Sequence, residues 1–225
     1  MASIKQLQKR INYHFQNPEF LEQALTHRSV GAKNNERLEF LGDAILNMAV
    51  ARDLYQRFPK AREGQMSRLR ASMVKGKTLA EIAREFELGD YLRLGSGELK
   101  SGGFRRESIL ADAVEAIIGA ISLDADLVVA EAKTLEWYES RLRELTLEDV
   151  RKDNKTRLQE YLQGKRLALP EYEVISITGE PHCQEFTVQC RLEDGSESIA
   201  VGSSRKLAEQ KSALALLEQL GIIDD

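Results

Sequence analysis

Residues Asn35–Ile45 read Asn-Glu-Arg-Leu-Glu-Phe-Leu-Gly-Asp-Ala-Ile. Leu38, Leu41 and Ile45 recur at i, i+3 and i+7, the stripe of an amphipathic helix, and Glu36, Glu39 and Asp43 recur at the same spacing on an adjacent stripe. Like charges three and four residues apart on a helix repel one another. With no Lys or Arg on that stripe, the three carboxylates want a cation. Such a stripe taken alone is commonly a solvated face, so its meaning depends on what it packs against.

A second stretch supplies the partner. From Ile109 to Ile121 every residue is apolar or Gly except Asp112 and Glu115. A helix apolar nearly all round is a buried one, and its two carboxylates at i, i+3 lie on one face. Ionised groups are not left isolated in a core; they are paired or they hold a metal. Arg105 and Arg106 are the nearest cations in sequence. Two such helices facing each other bring together Glu39, Asp43, Asp112 and Glu115. These are hard oxygen donors with no His or Cys among them, which favours Mg²⁺ or Mn²⁺ over Zn²⁺.

The rest of the chain sets bounds. Its 225 residues have room for one large or two modest domains, and 42% hydrophobic content suffices for real cores. The N-terminal residues lack an apolar h-region and nowhere do 18 apolar residues run together, so neither secretion nor a membrane span is expected. Cys183 and Cys190 have no metal-ligand spacing and read as reduced thiols of a cytoplasmic protein. The net charge of -4 is not the signature of a strongly basic nucleic-acid binder. Residues 153–225 carry 8 Lys/Arg against 13 Asp/Glu, so any phosphate binding there rests on local distribution.

From Ser3 to Arg141 the periodicity is helical. Asn17-Pro18-Glu19 reads as an N-cap, a proline at the first helical position and an acid in the first turn. The spacing predicts helices over about 36–58, stopping at Pro59, over 64–86 as one element, and over 128–145. A glycine-rich loop at 95–103 leads into the apolar acidic helix. Leu145 to Lys152 has no clear period and reads as a linker. Beyond it the pattern predicts a helix at 155–163, alternating strands at 172–178, 185–192 and 198–201, and a helix at 204–220.

Asn35–Ile45 resembles the signature of the ribonuclease III family, and Asp112-x-x-Glu115 resembles that family's second acidic motif. Leu25-Thr26-His27-Arg28-Ser29 and Glu98-Leu99-Lys100-Ser101-Gly102-Gly103 support the likeness, which covers essentially the whole chain in the order of the bacterial enzyme. The resemblance implies an all-α endonuclease domain (1–145), a linker (146–152) and a small α+β (α-β-β-β-α) double-stranded-RNA-binding domain (153–222). It implies Mg²⁺-dependent hydrolysis of duplex RNA, with Mn²⁺ able to substitute, leaving 5′-phosphate and 3′-hydroxyl ends with short 3′ overhangs. Its expected substrates are rRNA precursors and some mRNAs and tRNAs. Glu39, Asp112 and Glu115 are implied as metal ligands, and Asp43 and Glu115 as the catalytic carboxylates. Glu36 and Glu63 are candidate substrate neighbours. His27 is either a general base or a hydrogen-bonded structural histidine. Phe40 is implied to reach into a partner subunit of a homodimer.

In the second domain Thr156, Gln159 and Glu160 share one face of the first helix. Pro181 and His182 occupy the first strand turn. Ser204, Arg205 and Lys206 open the last helix, where backbone N–H groups and the helix dipole favour phosphate, and Lys211 extends that face. These residues are expected to contact duplex RNA. Two departures from the family pattern stand out: Glu209 where a third basic residue is usual, and Ala200 where a glycine is usual. A duplex-RNA-binding regulator with an inactive helical domain and an all-helical nucleotide pyrophosphohydrolase are the alternatives. Loss of an acidic ligand would favour the first, and the second has no need of residues 153–225.

Overall fold

A computed structural model of the chain describes residues 3–147, 154–180 and 183–222. The chain divides into two units, residues 1–150 and 151–225.

The first unit is helical: α1 (Ile4–Arg10), α2 (Pro18–Ala24), α3 (Glu36–Arg57), α4 (Glu63–Val74), α5 (Gly76–Glu85), α6 (Ser96–Lys100), α7 (Glu107–Asp124) and α8 (Leu127–Glu144). Asn17 caps α2 as its sequence requires, its side chain accepting from Glu19 N at 3.0 Å. α7 is the centre of the unit. Between Ile109 and Ile121 every residue is buried except the half-buried Asp112 and Glu115, and α2, α3, α5 and α8 pack around it.

One expectation needs correction. The predicted single helix over 64–86 is two helices, broken at Lys75, whose backbone is extended (φ -66°, ψ 147°). The break swings the chain so that Leu79, Ala80, Ile82 and Ala83 of α5 meet α7, while α4 packs on α3. The loose ends are satisfied locally. Thr78 Oγ1 donates to the Ser72 carbonyl at 3.0 Å, and Thr78 N donates to the Lys75 carbonyl at 2.9 Å. The glycine-rich stretch likewise holds more order than a loop, forming α6 and a 3-10 turn at Gly103–Arg105.

α3 and α7 approach closely because glycine stands at the crossing. A Cβ on Gly42 would fall 2.5 Å from the Glu115 carbonyl carbon and overlap its oxygen, and one on Gly119 would fall 3.1 Å from the Leu38 carbonyl carbon. The two acidic motifs are therefore separated by little more than backbone.

The second unit contains α9 (Asn154–Gly164), β1 (Glu171–Thr178), β2 (Glu185–Arg191), β3 (Glu197–Gly202) and α10 (Arg205–Gln219). The strands form one antiparallel sheet in the order β1-β2-β3. Leu158 and Leu162 of α9, Cys190 of β2, and Ala213, Leu216 and Leu217 of α10 make its core, separate from the helical one. Ala200 pairs with Val188 inside β3, so the strand runs unbroken through the position where a glycine is usual. Cys183 is exposed and Cys190 buried, and both are free thiols. Among the described residues no helix is long and apolar enough to cross a membrane.

Candidate metal centre and nucleic-acid interface

The helix crossing brings Glu39 of α3 and Asp112 and Glu115 of α7 into one cluster. One carboxylate oxygen from each lies within 4.8 Å of the other two, and all three side chains are half-buried. A single small cation bound at 2.0–2.1 Å spans such a group with modest side-chain adjustment.

The electrostatics say the same. Burial pushes the Glu115 carboxyl up to about 8, and the charges of Asp43, Asp112 and Glu39 add to the shift. Glu39 is raised by burial, then by Asp112 and Glu36, with Arg28 opposing. Asp112 is raised by burial against the pull of His27 and Arg28. Crowding and burial disfavour the charged form of all three carboxyls, and a cation among them would offset that. Neither flanking arginine neutralises them: Arg106 pairs with Glu98 at 2.9 Å, and the Arg105 guanidinium lies over the Phe104 ring.

Asp43 sits one turn beyond Glu39 on α3 and is exposed. Its carboxylate accepts from Asn47 Nδ2 at 2.8 Å while the same amide donates to the Asp43 carbonyl at 3.0 Å, which fixes the side chain along the helix. It belongs to the charge cluster through its effect on Glu115.

A cleft of about 350 Å³ opens beside Glu39 and Asp112, lined also by His27, Arg28, Glu36 and Arg106. His27 is nearly fully buried, with Nδ1 2.8 Å from Ser29 Oγ, the setting of a structural histidine at the cleft wall. Glu36 lines the cleft and pairs with Arg28 at 3.5 Å. Glu63 is not among the lining residues; in the first turn of α4 it accepts from Ser67 Oγ at 2.6 Å. The residue that pattern reading missed is Arg28, the arginine whose charge acts on both Glu39 and Asp112. A parallel bridge between Thr26 and Arg93, with His27 N donating to the Arg93 carbonyl at 3.0 Å, carries it to the cleft. Its only sequence signal was its place in the Leu25–Ser29 motif.

In the second unit Thr156, Gln159 and Glu160 are exposed on α9. Ser204 caps α10, its Oγ accepting from Leu207 N at 3.2 Å. Arg205 and Lys206 are exposed in the first turn, and Lys211 Nζ donates to the Val201 carbonyl at 3.1 Å. Pro181 and His182 lie outside the described residues. Glu209 is buried and takes Lys155 Nζ on one oxygen at 2.7 Å and Arg205 Nε on the other at 2.9 Å. Phe40, beside Glu39, is 80% exposed and packs into no core of its own unit.

Known proteins resemble the chain along its whole length. A family described as ribonuclease-III-like matches residues 17–142, and the double-stranded RNA binding motif matches residues 154–220. Ribonuclease 3 of Hahella chejuensis is 60% identical over 222 residues, 98% of each chain. Among solved structures, the nuclease domain of ribonuclease III from Campylobacter jejuni aligns at 41% identity with a TM-score of 0.62, covering 65% of this chain and all of that one. A second structure of that domain, described as having structural flexibility in a region involved in dimer formation, aligns at 43% identity with a TM-score of 0.60 over 61% of this chain and 97% of that one.

Proposed function

Because the chain belongs to the ribonuclease III family and is a double-stranded-RNA endoribonuclease dependent on a divalent metal, we propose that Glu39, Asp112 and Glu115 are its metal ligands and that Mg²⁺ is the ion, with Mn²⁺ able to replace it. The observation that carries this reading is the convergence of three half-buried carboxylates at one helix crossing, with Glu115 holding its proton to about pH 8 in the absence of a cation. The all-oxygen donor set suits a hard ion.

When bound, the cation supplies Lewis acidity to the scissile phosphate and makes a water nucleophilic near neutral pH. Asp43 and Glu115 are the catalytic carboxylates. Asp43, exposed and oriented by Asn47, orients the attacking water and takes its proton, and Glu115 combines ligation with holding the reacting groups in line. Arg28 and Arg106 line the cleft as cations for the flanking phosphates. The water oxygen would form the new P–O bond as the P–O3′ bond breaks, and the departing 3′-oxygen takes a proton from solvent, leaving a 5′-phosphate and a 3′-hydroxyl.

The second unit is the duplex-holding arm. Thr156, Gln159 and Glu160 reach 2′-hydroxyls, Pro181 and His182 enter a minor groove, and Ser204, Arg205, Lys206 and Lys211 meet phosphates across the intervening groove. We assign residues 1–145 to catalysis, 146–152 to the connection and 153–222 to RNA binding. The protein acts in the cytoplasm on rRNA precursors and on some mRNAs and tRNAs.

A homodimer completes the machine. The strands of a duplex run antiparallel, so a two-fold axis presents an equivalent site to each, and offset cuts leave short 3′ overhangs. Supporting this, Phe40, Ala44 and Met48 form an exposed row at successive turns of α3, and the related Campylobacter jejuni domain has a region involved in dimer formation.

Glu115→Gln tests the site. It preserves side-chain shape and removes ligand charge, so cleavage of long duplex RNA in millimolar Mg²⁺ collapses while duplex binding in Ca²⁺ survives. Retention of near wild-type cleavage overturns the ligand assignment.

A further inference from the structure

Glu209 stands one helical turn beyond Arg205 on the face of α10 assigned to phosphate, where simple electrostatics would count it as a defect. Its environment is not that of a stray surface acid. The residue is 8% exposed, and each carboxylate oxygen has its own cation: Lys155 Nζ at 2.7 Å from the start of α9 and Arg205 Nε at 2.9 Å from the start of α10. Burial alone would raise the Glu209 carboxyl, but Lys155 and Arg205 more than offset that and hold it low. The neighbouring ties run the same way, with Asn154 Nδ2 donating to the Gln210 carbonyl at 3.3 Å and Lys155 N to Gln210 Oε1 at 3.3 Å. The Lys155 ammonium is held further by the Tyr172 ring, 4.3 Å from its centroid.

We propose that Glu209 is a positioning residue for duplex binding, a buried bridge that orients the Arg205 guanidinium and joins the RNA-facing starts of α9 and α10. This rests on the reading of α10 as a phosphate-contacting element. A guanidinium has five N–H donors in a rigid fork. Glu209 engages the Nε–H alone and leaves the four Nη donors for a phosphate. Orienting the fork in advance lowers the ordering cost of forming that contact, which a free arginine bears on binding. The side chain of Arg205 remains 63% exposed while its anchor is buried.

The proposal predicts a sign opposite to that of net charge. Duplex binding by the full chain is measured in EDTA, which withholds the metal and stops cleavage, across a salt series with an RNA long enough for the module's span of about 16 base pairs. Arg205→Ala weakens binding about three- to tenfold and reduces the salt slope by about 0.9, the loss of one phosphate contact. Glu209→Ala weakens it to a similar extent and also flattens the slope, although the protein has become more positive. The double variant is no weaker than Arg205→Ala alone. Glu209→Gln, which still offers an acceptor to the Arg205 Nε–H, recovers part of the affinity and serves if the alanine variant folds poorly. A merely structural role for Glu209 lowers the melting temperature without moving the salt slope. Equal or tighter binding by Glu209→Ala, or single losses that multiply in the double variant, overturns the proposal. No effect of Arg205→Ala overturns instead the underlying reading of α10.

Discussion

Replacing Gly42 by Ala tests whether the α3–α7 crossing sets the metal centre. On an exposed helix this change is stabilising, by about 1 kcal/mol of helix propensity. Here the added Cβ would sit 2.5 Å from the Glu115 carbonyl carbon and 3.0 Å from Gly119 N, where carbon atoms prefer about 3.5–4.0 Å. The obstacle is main chain and has no rotamer to move into, so the helices must part by about 1 Å. Overpacking of this kind costs about 1–3 kcal/mol, which lowers the melting temperature of the helical unit by about 3–9 °C. The same displacement widens a carboxylate cluster whose oxygens now lie within 4.8 Å of one another. Mg²⁺, which demands short and regular coordination, suffers more than Ca²⁺ with its longer, looser shell. Thermal unfolding with and without metal, together with Mg²⁺ titration of cleavage, reads both effects. A Gly42→Ala protein as stable as the parent, with unchanged Mg²⁺ demand, would refute the claim that backbone contact sets the site.

The remaining expectations follow from the same geometry. Glu115 holds its proton to about pH 8 in the folded protein against about 4.3 in an unfolded chain. Its folded state therefore binds more protons, and this contribution to the stability of the metal-free protein is lost as pH rises from about 4.3 to 8. Glu115→Gln removes that loss, so its melting-temperature advantage over the parent in EDTA widens with pH; a constant offset across the range contradicts it. Metal binding must displace the proton, so calorimetry in buffers of different ionisation enthalpy shows proton release that fades as pH rises through about 8. A protein ending at residue 150 folds as a helical unit but cuts duplex RNA only at low salt, having lost the phosphate contacts of the second unit; full activity at physiological salt would deny those contacts a role. Phe40→Ala leaves the fold intact, because the ring is 80% exposed, but weakens dimerisation by up to about 3–5 kcal/mol. Sedimentation of a parent monomer at micromolar concentration with unimpaired double-strand cleavage excludes this role.

What was legible in the sequence was whatever has a period. The 36–58 helix and the near-uniform apolarity of 109–121 gave both acidic motifs their faces, and the alternation at 185–192 gave the central strand to within a residue of the observed Glu185–Arg191. Contributions from outside a periodic element were not legible. Arg28 acts at the cleft because Thr26 bridges to Arg93, 67 positions away, and no local pattern encodes that. The break at Lys75 was passed over although Gly76 follows it, because a lone glycine inside a helical pattern is tolerated at a cost of about 1 kcal/mol, and the two halves part to meet different partners. Glu209 read as a departure because its cations come from two helices, one of them 54 residues earlier.

The central position of α7 also bears on how the chain is made. Its nearly all-apolar run from Ile109 to Ile121 would be an aggregation hazard if it had to wait for partners. But α2, α3 and α5, which pack against it, all precede it in the chain. During synthesis from the N-terminus three of its four partner helices have been made before α7 emerges, and only α8 follows to close the remaining side. The long sequence separations that slow refolding from denaturant thus place most partners of this apolar segment ahead of it in the order of synthesis.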